Sequence, residues 1–243
     1  MMKDAPGPPL FSGLTYHIFN QGNNRENIFI EEKNYKYFLR KYHEFISPIV
    51  DTYAYCLLPN HFHILVKFKN YSDLYNFKSK YFPVPPNGIK NKHNISNAEE
   101  FDYDKLISEK LSRQFANFFG GYAFAINNKY NRQGKLFSLP FKRVLVNNDT
   151  YFEWLICYIH RNPIHHKFCD DFKSWPHSSY FEISNYLKAS GASGVTVANG
   201  NTAAGRPICD VGFLKDWFGG FEQFKKAHQN SIEKWLDQKY WLE

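Results

Sequence analysis

The chain is poor in cysteine, and the four it has, Cys56, Cys157, Cys169 and Cys209, are scattered. No two form a Cys-x-x-Cys pair, which excludes a zinc ribbon and a small disulfide framework; reduced thiols are expected. No stretch reaches the roughly 18 consecutive apolar residues of a membrane span. The first residues, "MMKDAPGPPLFSG", lack the apolar core of a secretory signal. Neither secretion nor a membrane anchor is expected, and the cytoplasm is the expected location. Acidic residues are in deficit: 23 Asp and Glu against 30 Lys and Arg give a net charge of +7, a mild preference for a polyanionic partner. No internal repeat is present.

What the chain has in excess is aromatic side chains, 24 Phe, 17 Tyr and 5 Trp in 243 residues. Most fill a core, and the same rings are what a single-strand nucleic-acid binder uses to stack bases. Periodicity divides the chain into elements. Strands are expected at 14–20, at 50–58 with a hairpin through Pro59 and Asn60 into 61–68, and at 141–147. Helices are expected over 31–46 and 71–82. A long helix should follow residue 100, with Ile107, Leu111, Phe115, Phe118, Phe119, Tyr122 and Ile126 on one stripe. A further helix should start at a capping box of Thr150 and Glu153 and stop at Pro163. The order implies an α+β fold, a ferredoxin-like antiparallel sheet with helices on one face. Residues 1–188 read as one domain with an insertion at about 83–105, 189–206 as a flexible linker, and 207–243 as a small C-terminal helical tail.

One motif does not fit a purely structural reading. In "LLPNHFHILVK" (57–67), strand alternation puts His61, His63 and Leu65 on one face and Phe62, Ile64 and Val66 on the other. The apolar face is core; the histidine face needs hydrogen-bond partners or a ligand. In "YIHRNP" (158–163), Tyr158 and Asn162 stand four apart and share a helix face.

A His-hydrophobic-His strand followed by a helical Tyr-x-x-x-Asn-Pro resembles the one-tyrosine HUH single-stranded-DNA endonucleases. More narrowly the chain resembles the REP-associated tyrosine transposases, through "YHIFNQGNNRENIF", "YCLLPNHFHILVK", "GKLFSLPFKRV", "YIHRNP", "WPHSSY" and "LKDWFGGFEQFKKAH" in that order. The resemblance implies metal-dependent nicking and rejoining of single-stranded or hairpin DNA by a monomer or homodimer. Tyr158 would be the nucleophile and would form a covalent 5′-phosphotyrosine, leaving a free 3′-OH. His61, His63 and Asn162 would hold a divalent metal, Mg²⁺ or Mn²⁺, facing the scissile phosphate. Candidate DNA contacts are Asn23 and Arg25, Lys142 and Arg143, and His160 and Arg161 beside the nucleophile.

Among rival nucleophiles, Tyr122 and Tyr130 belong to the long helix and read as packing residues. His165 and His166 could compete as ligands and His17 could face the same site, but by default all three read as partnered or surface histidines; Trp175 reads as a core anchor. Two other functions are compatible with the composition. One is a non-catalytic RNA- or DNA-binding ferredoxin-like module. The other is a zinc hydrolase, which wants a third His or an acidic ligand that no motif supplies.

Overall fold

Four alternating segments pair into one antiparallel sheet: β1 (Thr15–Gln21), β2 (Val50–Leu58), β3 (His61–Phe68) and β4 (Lys142–Val146), in the order β2-β3-β1-β4. That is the ferredoxin-like order, with β1 and β3 central. The computed structural model describes residues 7–77, 82, 97–138, 140–191 and 207–235. Most of the expected insertion, 83–96, and of the expected linker, 192–206, lies outside the described residues.

The face carrying Tyr16, Ile18, Phe62, Ile64, Val66 and Phe68 packs under α1 (Glu32–Phe45) and α3 (Asn97–Lys129). Phe62 meets Phe38 of α1 at 5.3 Å between ring centroids and Phe119 of α3 at 5.4 Å. Each such buried ring contributes about 1.5–3 kcal/mol, and the aromatic surplus is largely spent here. Tyr122, fully buried, donates its hydroxyl to the Ile28 carbonyl at 2.8 Å, as a packing residue would. α3 begins at Asn97, so the end of the expected insertion is the first part of this helix. α2 (Tyr71–Phe77) leads from β3 toward it.

The opposite sheet face, with His17, Phe19, His61 and His63, is covered by α4 (Asp149–His165). Two expectations for this helix are corrected. Its N-cap is Asn148, whose side chain accepts from the Tyr151 N–H at 2.8 Å, and not Thr150, which lies inside the first turn. The helix also runs through Pro163 to His165. Proline removes the N–H that would reach the Ile159 carbonyl, but Asn162 and Pro163 are buried and the end is well tied. Lys167 adopts φ 57°, Lys167 N–H bonds the Ile164 carbonyl and Phe168 N–H the Pro163 carbonyl, a Schellman ending.

Residues 177–179 run beside the outer edge of β2: Leu57 N–H donates to the His177 carbonyl and Ser179 N–H to the Tyr55 carbonyl, both at 2.9 Å. Trp175 Nε1 donates to the Leu57 carbonyl at 3.0 Å, anchoring the turn as expected. The chain then enters α5 (Tyr180–Gly191), and the tail helices α6 (Val211–Phe218) and α7 (Phe221–Trp235) pack on α4 and α5. Leu214 and Phe224 are fully buried in the common core.

Candidate active site

β3 enters from the Pro59–Asn60 turn, which sets the first histidine. His61 Nδ1 lies 2.7 Å from Asn60 Oδ1, so Nδ1 carries the proton and Nε2 is left with its lone pair. The Asn60 amide is fixed from its other end, Nδ2 donating to the Arg25 carbonyl at 3.5 Å. His63 Nδ1 lies 2.9 Å from His17 Nε2 of β1, both rings buried and stacked at 19°. Burial disfavours the charged imidazole: it pushes His61 down to about 4 and His17 down to about 3, and His63 well below the usual range. On His61 the Asn162 side chain acts in the opposite sense, which places that amide beside the ring.

α4 brings Tyr158 onto these rings, edge-on at 5.6 Å from His63 and 6.2 Å from His17. Trp154, one turn earlier, stacks on it at 5.2 Å and 19°, and His165 lies 6.3 Å away on its C-terminal side. Asn162 is fully buried; its Nδ2 donates to the Tyr158 carbonyl at 3.4 Å. Among the buried polar atoms without a hydrogen-bond partner among the described residues are His61 Nε2, His63 Nε2 and Asn162 Oδ1. An unmade buried hydrogen bond costs about 1–3 kcal/mol, so each is an atom waiting for a ligand. No group of three His, Cys, Asp or Glu among the described residues is placed to hold a metal ion. The donors that the site offers a divalent cation are two imidazole nitrogens and an amide oxygen, a neutral mixed set.

A cleft of about 210 Å³ opens in front of His61 and His63, walled by Phe19, Asn20, Gln21, Asn60, Ser138 and His166, with Arg25 and Lys142 as its cations and no carboxylate among the described residues of its lining. Lys142 pairs with Phe19, which pairs with His63, so its side chain rises on the histidine face. Arg25 reaches the cleft from a 3-10 turn (Asn23–Arg25) in which Asn24 and Arg25 hold φ of 54° and 61°. A left-handed arginine is strained, a conformation found where function needs it.

The remaining expected DNA contacts lie away from this cleft. Arg143 pairs with Ile18 and points to the other face; its guanidinium donates to the Pro8 and Gly7 carbonyls and to Ser112. His160 is fully buried, 2.8 Å from Ser179 Oγ and 2.8 Å from His228 Nε2. Arg161 lies over the Phe172 ring and bonds the His228 carbonyl, on the side of the tail. Asn23 is half-buried, its N–H on the Leu136 carbonyl, outside the cleft lining. Two residues that sequence reasoning passed over belong to the site, Asn60, readable only as a turn residue, and Phe19, readable only as β1 alternation. His17 and His166, set aside by default as partnered or surface histidines, lie there too.

No protein-family model matches this sequence, and none of the curated proteins does. Among solved structures, one of a REP-associated tyrosine transposase bound to a REP hairpin matches with a TM-score of 0.45 at 12% identity, covering 83% of this chain and 93% of that one. A match at that level adds nothing to the geometry above.

Proposed function

We propose that this chain is a single-stranded-DNA nicking and rejoining enzyme, transposase-like in its chemistry, that acts on hairpin or repeat DNA through Tyr158. The observation that carries the reading is the convergence of Tyr158 and Asn162 on His61 and His63, the two histidines that line a cleft in which Arg25 and Lys142 are the cations among the described residues. Those three side chains would hold a divalent metal, Mg²⁺ or Mn²⁺, which when bound supplies Lewis-acid polarisation of a phosphate oxygen.

The chain's own residues do the rest. Arg25 and Lys142 grip the phosphodiester backbone. Tyr158 Oη forms a bond to phosphorus while the P–O3′ bond breaks. The phenolic proton is lost and the departing 3′ oxygen gains one, so charge and atoms balance. Burial keeps His17 and His165 beside Tyr158 neutral and makes both weak bases, so the phenolic proton leaves to solvent and not to those rings. The phosphotyrosine conserves the bond for religation.

The burial of Tyr158, 6% exposed, and of Asn162, fully enclosed, favours a second reading, a non-catalytic nucleic-acid-binding module. One experiment separates the two. Purified protein is incubated with labelled single-stranded hairpins and Mn²⁺ and run on a denaturing gel. A covalent adduct that maps to Tyr158 and vanishes in Tyr158→Phe supports the enzyme. Specific hairpin binding with no adduct supports the module.

A further inference from the structure

We propose that His17 is the positioning residue for His63: it accepts the His63 Nδ1 proton and so leaves His63 Nε2 bare toward the site. The proposal rests on the metal-site reading above and adds a residue to it.

The two rings are joined by a single contact, His17 Nε2 to His63 Nδ1 at 2.9 Å. In a neutral pair only one of those nitrogens carries hydrogen. If His17 donates, His63 must carry its own proton on Nε2, the atom facing the site, and cannot ligate. If His63 donates, its Nε2 is a lone pair, and His17 carries its proton on Nδ1. Ligating histidines ordinarily have this partner in a carboxylate or backbone carbonyl. Here the partner is an imidazole supplied by a neighbouring strand.

The surroundings hold His17 in that role. It is 0% exposed, on the central strand β1, one ring face against Phe19 at 4.7 Å and 24° and its edge toward Tyr158. Val144 of β4 stands opposite it in register. Its Nδ1 makes no hydrogen bond among the described residues, and neither does His63 Nε2, so the two tautomers leave one buried N–H unpaired each. His61 obtains the same tautomer from Asn60. Each of the two histidines thus has its own device for presenting Nε2.

The test reads metal affinity and tautomer, not turnover. Mn²⁺ binding is measured by calorimetry on wild type, His63→Ala, His17→Phe and His17→Gln. The glutamine amide oxygen can stand where His17 Nε2 stands. His17→Phe should weaken Mn²⁺ by roughly 10–100-fold, and His17→Gln should stay within about threefold of wild type. Long-range ¹H–¹⁵N correlations of metal-free wild type should show His63 protonated at Nδ1, with that signature lost in His17→Phe and kept in His17→Gln. Equal Mn²⁺ affinity in all His17 variants, or a wild-type His63 protonated at Nε2, overturns the proposal. Should His17→Phe not fold, the wild-type spectrum and the glutamine variant still decide. Mn²⁺ binding that is absent, or that survives His63→Ala, overturns the metal-site reading instead. The His63 tautomer then still decides the role of His17 as proton acceptor.

Discussion

His228 of the last helix is hydrogen-bonded at 2.8 Å to His160 of α4, on the helix face turned away from Tyr158 and Asn162. His160 continues the chain to Ser179 Oγ, which accepts from the Tyr55 N–H at 2.9 Å, and His228 Nδ1 donates to the Phe224 carbonyl at 2.8 Å. The tail, α4 and the edge strand β2 are thereby strung on one buried polar line.

That line predicts the behaviour of His228→Leu. Removing one member leaves the His160 Nδ1 position buried and unpaired, which costs about 1–3 kcal/mol. Urea unfolding should show this loss. The double variant with His160→Leu should lose less than the sum of the two single losses, because the members act together. Strict additivity would show that the contact contributes nothing as a pair.

The turn before α1 gives a second expectation. A Cβ on Gly22 would overlap the Glu26 carbonyl oxygen, a backbone atom that cannot swing aside. Gly22→Ala should therefore destabilise by about 1–3 kcal/mol and weaken hairpin binding by displacing Arg25. Arg25→Gly is its counterpart. It relieves the left-handed strain at φ 61° and should leave stability equal or higher, yet lose the same DNA affinity. Unchanged binding in Arg25→Gly would remove Arg25 from the DNA surface.

Adjacent residues of β4 should separate cleanly in a salt titration. Lys142→Ala should reduce the slope of log affinity against log salt by about 0.7 for a single-stranded ligand. Arg143→Ala should leave the slope alone and lower the melting temperature, since its guanidinium ties residues 7 and 8 to α3 through Ser112. Fluorescence anisotropy at several salt concentrations, with a thermal melt of each variant, reads both. A reduced slope for Arg143→Ala would mean that the register of β4 is misread.

Glu182 makes stability depend on pH in an unusual direction. It sits in α5 with Oε1 accepting from the Cys209 N–H at 2.8 Å, and burial pushes its carboxyl up to about 7 against the opposing pull of the Cys209 and Ile208 backbone. Tyr55 and Cys209 nearby are both pushed up and stay neutral. The folded state holds the proton more tightly than the unfolded chain, so stability is greatest below the unfolded value. It falls as pH rises through about 4.5 to 7, and then levels. The contribution is on the order of 3 kcal/mol. Glu182→Gln should flatten that part of the curve and stabilise the protein at pH 8. A slope that persists in the variant would assign it to another group.

Much of this arrangement is legible in the residues themselves. Two-residue alternation separates His61 and His63 from Phe62, Ile64 and Val66, and four-residue spacing joins Tyr158 to Asn162 on one helix face. The same rules would also have separated His160 from Tyr158, two positions and about 200° apart on a helix, and Lys142 from Arg143 on a strand. What those rules cannot give is which of two alternating faces turns toward the histidines. That depends on β1 pairing with both β3 and β4, a contact between segments over a hundred residues apart. The N-cap at Asn148 escaped because Thr150 and Glu153 offer a competing signal. Helix through Pro163 escaped because its burial and the Schellman ending are tertiary facts.

The strip of backbone at 177–179 has a meaning for the protein as a solute. β2, with the run "VDTYAYCLL", is the more apolar of the two outer strands, and a bare edge of that kind is a template on which further copies polymerise. Leu57 and Tyr55 spend their outward hydrogen bonds on that strip, while the far edge, β4, is five residues long and begins with a lysine and an arginine. One margin is plugged and the other electrically guarded. A chain so rich in phenylalanine and tyrosine thus closes both margins of its sheet to pairing with further copies of itself.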